Sequence, residues 1–212
     1  MSSEGFPYTA RQARWWFATH GEGSAPSLGD IATLYKVTRK PKTAKEAEDW
    51  AREHLGVDAE YGGRVSAESA HEVNMALAEA KSRGVQMPKR VQIATSKSRN
   101  VAVYSASNDL ISVDPKWREM TASAKAGYFS TDDPAHTIHH EIGHMVHSRA
   151  VGERYDSIKN AQIPGAISDE VSRYGKHNGL EFVAEVYAGL FAGKKYSESV
   201  MRVYDLYGGV RP

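Results

Sequence analysis

Hydrophobic and polar positions along the chain change their period several times, and each change predicts an element. Within residues 66–82, Val73, Leu77 and Ala80 recur at helical spacing, which predicts a helix. The period shortens to two beyond this helix, and residues 107–109, Ser-Asn-Asp, favour a hairpin turn. Four short strands are predicted: 57–61 before the helix, and 91–95, 101–106 and 110–113 after it.

Capping signals predict further helices. Thr43 and Glu46 are spaced as a capping box, which opens a helix that ends at Gly56. An Asp-Pro pair at 133–134 combines an N-cap with a proline in the first turn, which predicts a helix over 134–150. Further helices are predicted at 114–127 and 178–191. Together these elements predict the α+β class: a mainly helical domain with a small mixed β-sheet of about three to four strands packed on the helix 134–150.

The length of 212 residues suits one main domain with a small appendage. Residues 43–212 are predicted to form that domain, and residues 1–42 an N-terminal arm rich in aromatic and basic side chains. Trp15, Trp16 and Phe17 are adjacent and cannot all face one way. We expect some of them to anchor the arm, either to the core or to a protein partner.

Charge and composition narrow the function classes. A formal net charge of +1 gives no strong attraction to nucleic acid or to an anionic membrane, so neither is expected as a partner. The chain has no cysteine, so any metal must be held by histidine and carboxylate side chains. The N-terminus lacks the basic and apolar segments of a signal peptide, and no apolar stretch is long enough to span a bilayer. We therefore expect a soluble protein without a standard export signal.

The predicted helix 134–150 carries the candidate chemistry. His140-Glu141-x-x-His144 places two imidazoles one turn apart and about 40° apart on one face, where both can bind one metal ion. Glu141 follows His140 on the helix, where its carboxylate can take a proton from a water bound to that ion. Gly143 lowers the stability of this helix, and a close neighbour that leaves no room for a side chain would explain its presence. The spacing predicts a catalytic zinc site; the alternative is an exposed helix with clustered histidines.

A catalytic zinc ion usually has three protein ligands, and the nearby histidines fit the third place poorly. One subclass of zinc peptidases has a longer motif, with a third ligand histidine six residues after the second. This chain has Ala150 at that position, so it does not belong to that subclass. His147 lies about 10 Å along the helix axis from His140, and we expect it at the surface or behind a ligand. His136 and His139 are expected to be bystanders.

A later helix offers two carboxylates instead. Glu181 and Glu185 are four residues apart on an otherwise apolar segment, so they lie along one stripe. One glutamate can bind the metal, and the other can accept a hydrogen bond from the free ring nitrogen of a ligand histidine, which fixes its tautomer. Weaker candidates for the third ligand are Asp156, Asp169 and Glu170.

The His140-Glu141-x-x-His144 helix, followed by Tyr174 and then Glu181-Phe-Val-Ala-Glu185, resembles the gluzincin zinc metallopeptidases. It is similar in particular to the catalytic domain of anthrax lethal factor and its phage-encoded relatives, over residues 66–192. The resemblance implies a zincin-like fold with Glu181 as the third zinc ligand and Glu185 as the partner of a ligand histidine. It also implies that Tyr174 stabilises the oxyanion. A bacterial cytoplasmic or virion-associated location follows if the phage resemblance holds.

The expected function is a zinc metalloendopeptidase that acts on protein or peptide substrates. Glu141 is expected to activate the attacking water, and Tyr174, or failing that His177, to donate to the oxyanion. An extended substrate is expected to add to the strand edge at 101–106. The alternatives are a catalytically silent zinc-bound structural or assembly protein, for example a phage virion component, and an interaction module whose histidines are incidental.

Overall fold

A computed structural model describes residues 40–62, 64–95, 100–122 and 126–212, and nearly all of the predicted arm lies outside them. In these residues the helices are α1 (Ala44–Trp50), α2 (Ala67–Ser82), α3 (Trp117–Ala122), α4 (His136–Val151), α5 (Tyr155–Lys159), α6 (Gly165–Val171), α7 (Gly179–Phe191) and α8 (Glu198–Leu206). The strands are β1 (Asp58–Tyr61), β2 (Arg90–Ile93), β3 (Ala102–Ser105) and β4 (Leu110–Val113). A π-helical turn, Ala51–Leu55, continues α1, and 3₁₀ turns lie at Gly152–Arg154 and Tyr174–Lys176.

The four strands form one mixed sheet in the order β1-β2-β4-β3. β1, β2 and β4 are parallel, with Val91 of β2 in register with Ala59 and Ile111, whereas β3 is antiparallel to β4. β3 therefore forms one edge of the sheet. This arrangement confirms the predicted α+β class, mainly helical with a small mixed sheet.

One face of the sheet is buried against two helices. Val91 and Ile111 are fully buried and belong to the same core as Leu77 of α2 and Ile142 of α4. A second apolar cluster joins α7 to α6 and α8, with members Val171, Phe182, Val183, Val186, Val200 and Tyr204. None of the described helices is both long and apolar enough to cross a bilayer.

The two helices with predicted capping residues begin at or close to the predicted positions. The Thr43 hydroxyl accepts a hydrogen bond from the Glu46 amide at 3.1 Å, but the Glu46 carboxylate accepts from the Lys42 amide, so only half of the expected capping box forms. The α4 helix begins at His136, two residues later than predicted, because the Asp133 carboxylate accepts from the amide of residue 135 and forms a turn before the helix.

The α4 and α7 helices pack closely against each other at Gly143. A Cβ atom on Gly143 would lie 3.1 Å from both the Ala184 Cα and the Tyr187 Cβ. Only glycine lets the two helices approach this closely without displacing a neighbour. The histidines of α4 on either side of Gly143 therefore face the two glutamates of α7 across the helix pair.

Candidate metal centre

Two histidines of α4 and one glutamate of α7 converge on one point. Nε2 of His140 lies 3.0 Å from Oε2 of Glu181, and Nε2 of His144 lies 3.3 Å from the same oxygen. The two imidazole rings are 4.7 Å apart and nearly perpendicular. The structure thus brings together the three residues that the sequence and its resemblance suggest as ligands.

The start of α7 is built to hold Glu181 in place. The Asn178 side chain accepts hydrogen bonds from the amides of Leu180 and Glu181, at 2.9 and 3.0 Å, which caps the helix and fixes its first turn. A Cβ atom on Gly179 would collide with the carbonyl oxygen of Ile158, so glycine allows α5 to pack directly against this turn. The position of Glu181 is therefore set by the cap and by a neighbouring helix.

The donor set fits a zinc ion. Ligand atoms about 2.0–2.1 Å from a tetrahedral zinc ion lie about 3.3 Å from one another. The separations of 3.0 and 3.3 Å from Glu181 are close to that edge length. Two imidazoles and a carboxylate are also a common zinc ligand set in hydrolases, and they leave the fourth position for water or substrate. His140, His144 and Glu181 can therefore hold the ion.

Glu185 lies directly behind His140. Its Oε1 is 2.8 Å from Nδ1 of His140, and its Oε2 accepts a hydrogen bond from the Ser130 amide at 2.6 Å. Burial alone would raise the pKa of Glu185, but the neighbouring His136 and His140 hold it well below its usual range. A charged carboxylate at Nδ1 favours the tautomer of His140 that directs the Nε2 lone pair toward Glu181.

His136 is not the isolated bystander that the sequence suggests. Its Nε2 lies 2.9 Å from Oε1 of Glu185, and its ring packs on Phe129 with centroids 4.7 Å apart. His136, His140 and Glu185 thus form a second group with metal-binding chemistry. A neutral imidazole has one free lone pair, so His140 can bind an ion on only one side. The Glu181 side is favoured because Glu185 is completely buried and leaves no open position.

The electrostatics of the ligand cluster are dominated by its carboxylates. Burial alone would lower the pKa of His140, but Glu181 and Glu185 raise it well above its usual value. Burial alone would raise the pKa of Glu181, whereas its hydrogen bonds to His140 and His144 lower it strongly. The two carboxylates therefore favour a positive charge at this point, either a proton on Nε2 of His140 or a cation that takes the place of that proton.

Tyr155 also contacts the ligand cluster, although no pattern in the sequence indicates this residue. Its hydroxyl lies 3.1 Å from Nδ1 of His144. Burial raises the pKa of Tyr155, and the nearby Glu141 and Glu181 raise it further, so the phenol stays protonated. Each of the two histidines of the motif thus has a polar partner at Nδ1, a carboxylate behind His140 and a hydroxyl behind His144.

A cleft of about 500 Å³ opens beside the cluster. Glu141 lines this cleft next to His140 and His144, yet it does not belong to either group of converging ligand atoms. The edge strand of the sheet, β3, also lines this cleft. Glu141 therefore lines the same cleft as the ligand cluster but is not one of the converging ligands.

Tyr174 also lines the cleft. Its ring is 5.5 Å from that of His140 and packs against Tyr128 and Phe129. Burial raises the pKa of Tyr174, with further contributions from Glu181 and Glu141, so its hydroxyl remains a hydrogen-bond donor. His177, the fallback donor, is exposed and contacts the Tyr174 ring from outside the cleft.

The other candidates that the sequence offers do not belong to the ligand cluster. His147 is fully buried, not at the surface, and its Nε2 is 2.8 Å from the Tyr207 carbonyl oxygen. His139 stacks on Phe191, with ring centroids 3.9 Å apart. Of the weaker carboxylates, Asp156 lines the cleft, Asp169 pairs with Lys176, and Glu170 accepts from the Ser197 amide. None of them joins the two groups of converging ligands found among the described residues.

Comparisons with protein-family models, with curated proteins and with solved structures give no match. Two facing helices supply a three-atom ligand set, each histidine of the motif has a partner at Nδ1, and a glutamate and a tyrosine share the adjoining cleft. Such an arrangement can bind a divalent metal and can move protons beside it.

Proposed function

We propose that this chain is a zinc-dependent metalloendopeptidase of the gluzincin type. The observation that carries the proposal is the convergence of Nε2 of His140, Nε2 of His144 and the carboxylate of Glu181 beside a cleft that Glu141 also lines. A purely structural zinc site has no need of a glutamate directed into open space. The presence of Glu141 therefore favours hydrolysis over a silent metal site.

His140, His144 and Glu181 would hold the metal. When bound, zinc supplies a Lewis acid that polarises a peptide carbonyl and makes water acidic enough to lose a proton near neutral pH. Glu141 accepts that proton as general base and returns it to the amine of the leaving group as general acid. Tyr174 donates a hydrogen bond to the oxygen that becomes negatively charged when water adds to the carbonyl.

The edge strand β3 supports a peptide as the substrate. Among the residues that the structure describes, β3 pairs only with β4, and Val103 on this strand is 42% exposed. β3 lines the cleft, where an extended peptide can add to the sheet by main-chain hydrogen bonds. This mode of binding reads the backbone more than the side chains, as suits an endopeptidase.

The test is digestion of a peptide library, followed by mass spectrometry, with zinc-loaded wild-type protein and its Glu141→Gln variant. The wild-type protein is expected to cleave and to stop after chelation, whereas Glu141→Gln should bind zinc equally well and lose about 10²- to 10⁴-fold in kcat. Glu153→Gln, which changes an exposed glutamate beyond the same helix, serves as the matched control. Stoichiometric zinc without cleavage of any peptide would favour the silent structural or assembly protein.

A further inference from the structure

The ring of Tyr155 is held in place by its surroundings. It contacts the ring of His147, with centroids 5.4 Å apart, and His147 is fixed by the carbonyl oxygen of Tyr207. The α5 helix that carries Tyr155 is anchored by Ile158, which is 4% exposed and packs against the glycine that opens α7. The hydroxyl therefore points at His144 from a rigid support.

The tautomer of His144 decides what this hydroxyl does. His144 directs Nε2 toward Glu181, and a neutral imidazole that offers Nε2 to a cation carries its proton on Nδ1. That N–H needs an acceptor, and the phenol oxygen of Tyr155 is the acceptor within reach, at 3.1 Å. The alternative tautomer would make Tyr155 the donor and would turn the proton of His144 toward the ligand cluster.

We propose that Tyr155 is a positioning residue of the metal centre, which accepts the Nδ1–H bond of His144 and thereby fixes the tautomer and ring orientation that bind the metal. Tyr155 does for His144 what Glu185 does for His140. The inference rests on the metal-binding part of the proposed function and does not depend on hydrolysis.

There is a chemical reason for a phenol behind His144 where His140 has a carboxylate. Glu181, Glu185 and Glu141 already bring three carboxylates to this site. A further carboxylate behind His144 would add negative charge and weaken the electrophilic character of a bound cation. A neutral phenol orients His144 without that cost.

The test compares the zinc affinity of wild-type protein and Tyr155→Phe by competition with a chromophoric chelator. Loss of the hydroxyl is expected to weaken zinc binding by about 10- to 100-fold, because the ring of His144 loses its acceptor. The matched control is Tyr128→Phe, which removes a hydroxyl from the cleft wall without touching a ligand and should leave the affinity unchanged. Phenylalanine keeps the ring that packs on His147, so thermal unfolding of the metal-free variant should stay close to that of wild type, lowered only by the loss of one hydrogen bond.

A second readout separates positioning from general damage. Nitrogen chemical shifts of the His144 ring report its tautomer in the metal-free protein, where no cation on Nε2 imposes it, and Tyr155→Phe should hold less of the Nδ1–H form than wild type. Unchanged zinc affinity in Tyr155→Phe overturns the role of Tyr155 alone. A wild-type protein that takes up no zinc overturns this role together with the proposed function, whereas zinc uptake without hydrolysis overturns only the peptidase.

Discussion

Nδ1 of His140 lies 2.8 Å from Oε1 of Glu185, a carboxylate that is completely buried between α4 and α7. The same oxygen is 2.9 Å from His136, and the other oxygen accepts from the Ser130 amide. A buried charge is tolerated only when it is paired and hydrogen bonded, and this one has three partners. Glu185 therefore links the loop before α4 to the histidine that approaches Glu181.

Removing this carboxylate is expected to weaken the site and the fold together. In Glu185→Ala, His140 loses its acceptor, so zinc affinity should fall by about 10- to 100-fold. His136 and the Ser130 amide also lose a buried acceptor, which should cost about 1–3 kcal/mol in the free energy of unfolding. Chelator competition and denaturant unfolding measure the two effects. Glu170→Ala removes an exposed glutamate and should leave zinc affinity unchanged; equal affinities in both variants would contradict the assignment.

The close approach of α4 and α7 can be tested at Gly143. A methyl group there would lie 3.1 Å from the Ala184 Cα and the Tyr187 Cβ, so Gly143→Ala should reduce the free energy of unfolding by about 1–3 kcal/mol despite the better helix propensity of alanine. Gly165 begins α6 and has no heavy atom within 4 Å of such a methyl group. Gly165→Ala should therefore be neutral or stabilising in the same urea titration. A stabilised Gly143→Ala protein would show that the helices do not touch.

The acid stability of the protein should depend on Glu48. Burial opposes its charge, but hydrogen bonds from Lys45, the Tyr61 amide and Arg52 lower its pKa from 4.5 to about 2. A lowered folded-state pKa stabilises the protein above pH 4.5, and this contribution is lost as the pH falls from about 4.5 to about 2. Glu48→Gln should lose about 2 kcal/mol at neutral pH and should show a flatter pH profile.

Unfolding is best followed in chelator, so that loss of metal does not enter the comparison. Glu53→Gln changes an exposed glutamate of the same segment and should keep the wild-type profile. Parallel pH profiles for wild type and Glu48→Gln would rule out the proposed contribution of Glu48.

Tyr174 and His177 can be separated as donors to the oxyanion. Tyr174 lines the cleft, whereas His177 is exposed outside it. Tyr174→Phe should lower kcat by about 10²- to 10³-fold and leave zinc affinity intact, and His177→Ala should change neither strongly. Steady-state kinetics on a peptide found by library digestion gives both values. The reverse order of effects would assign the donor to His177.

The parts of the site that the sequence predicts are those fixed by local periodicity. The spacing of His140 and His144, and of Glu181 and Glu185, depends only on the helical repeat, so both pairs can be found without a structure. Gly143 likewise indicates a close neighbour, and the structure identifies it as α7. The strands themselves can be predicted because apolar residues alternate with polar ones along them, which matches the alternating burial in the structure.

The parts that sequence reasoning misses depend on where the connections run. Tyr155 reaches His144 because the chain turns back after α4, and α5 is too short to show a hydrophobic period. His136 meets Glu185 through the packing of α4 on α7, which no spacing within one helix reveals. The α8 helix is not predicted either, although it has clear polar and apolar faces in the structure.

The most direct test of the metal centre is anomalous diffraction at the zinc edge from crystals grown with zinc. The account predicts one strong peak bonded to Nε2 of His140, Nε2 of His144 and the Glu181 carboxylate, with the fourth side open to the cleft. A peak between His136, Nδ1 of His140 and Glu185, or no peak at either position, would contradict it.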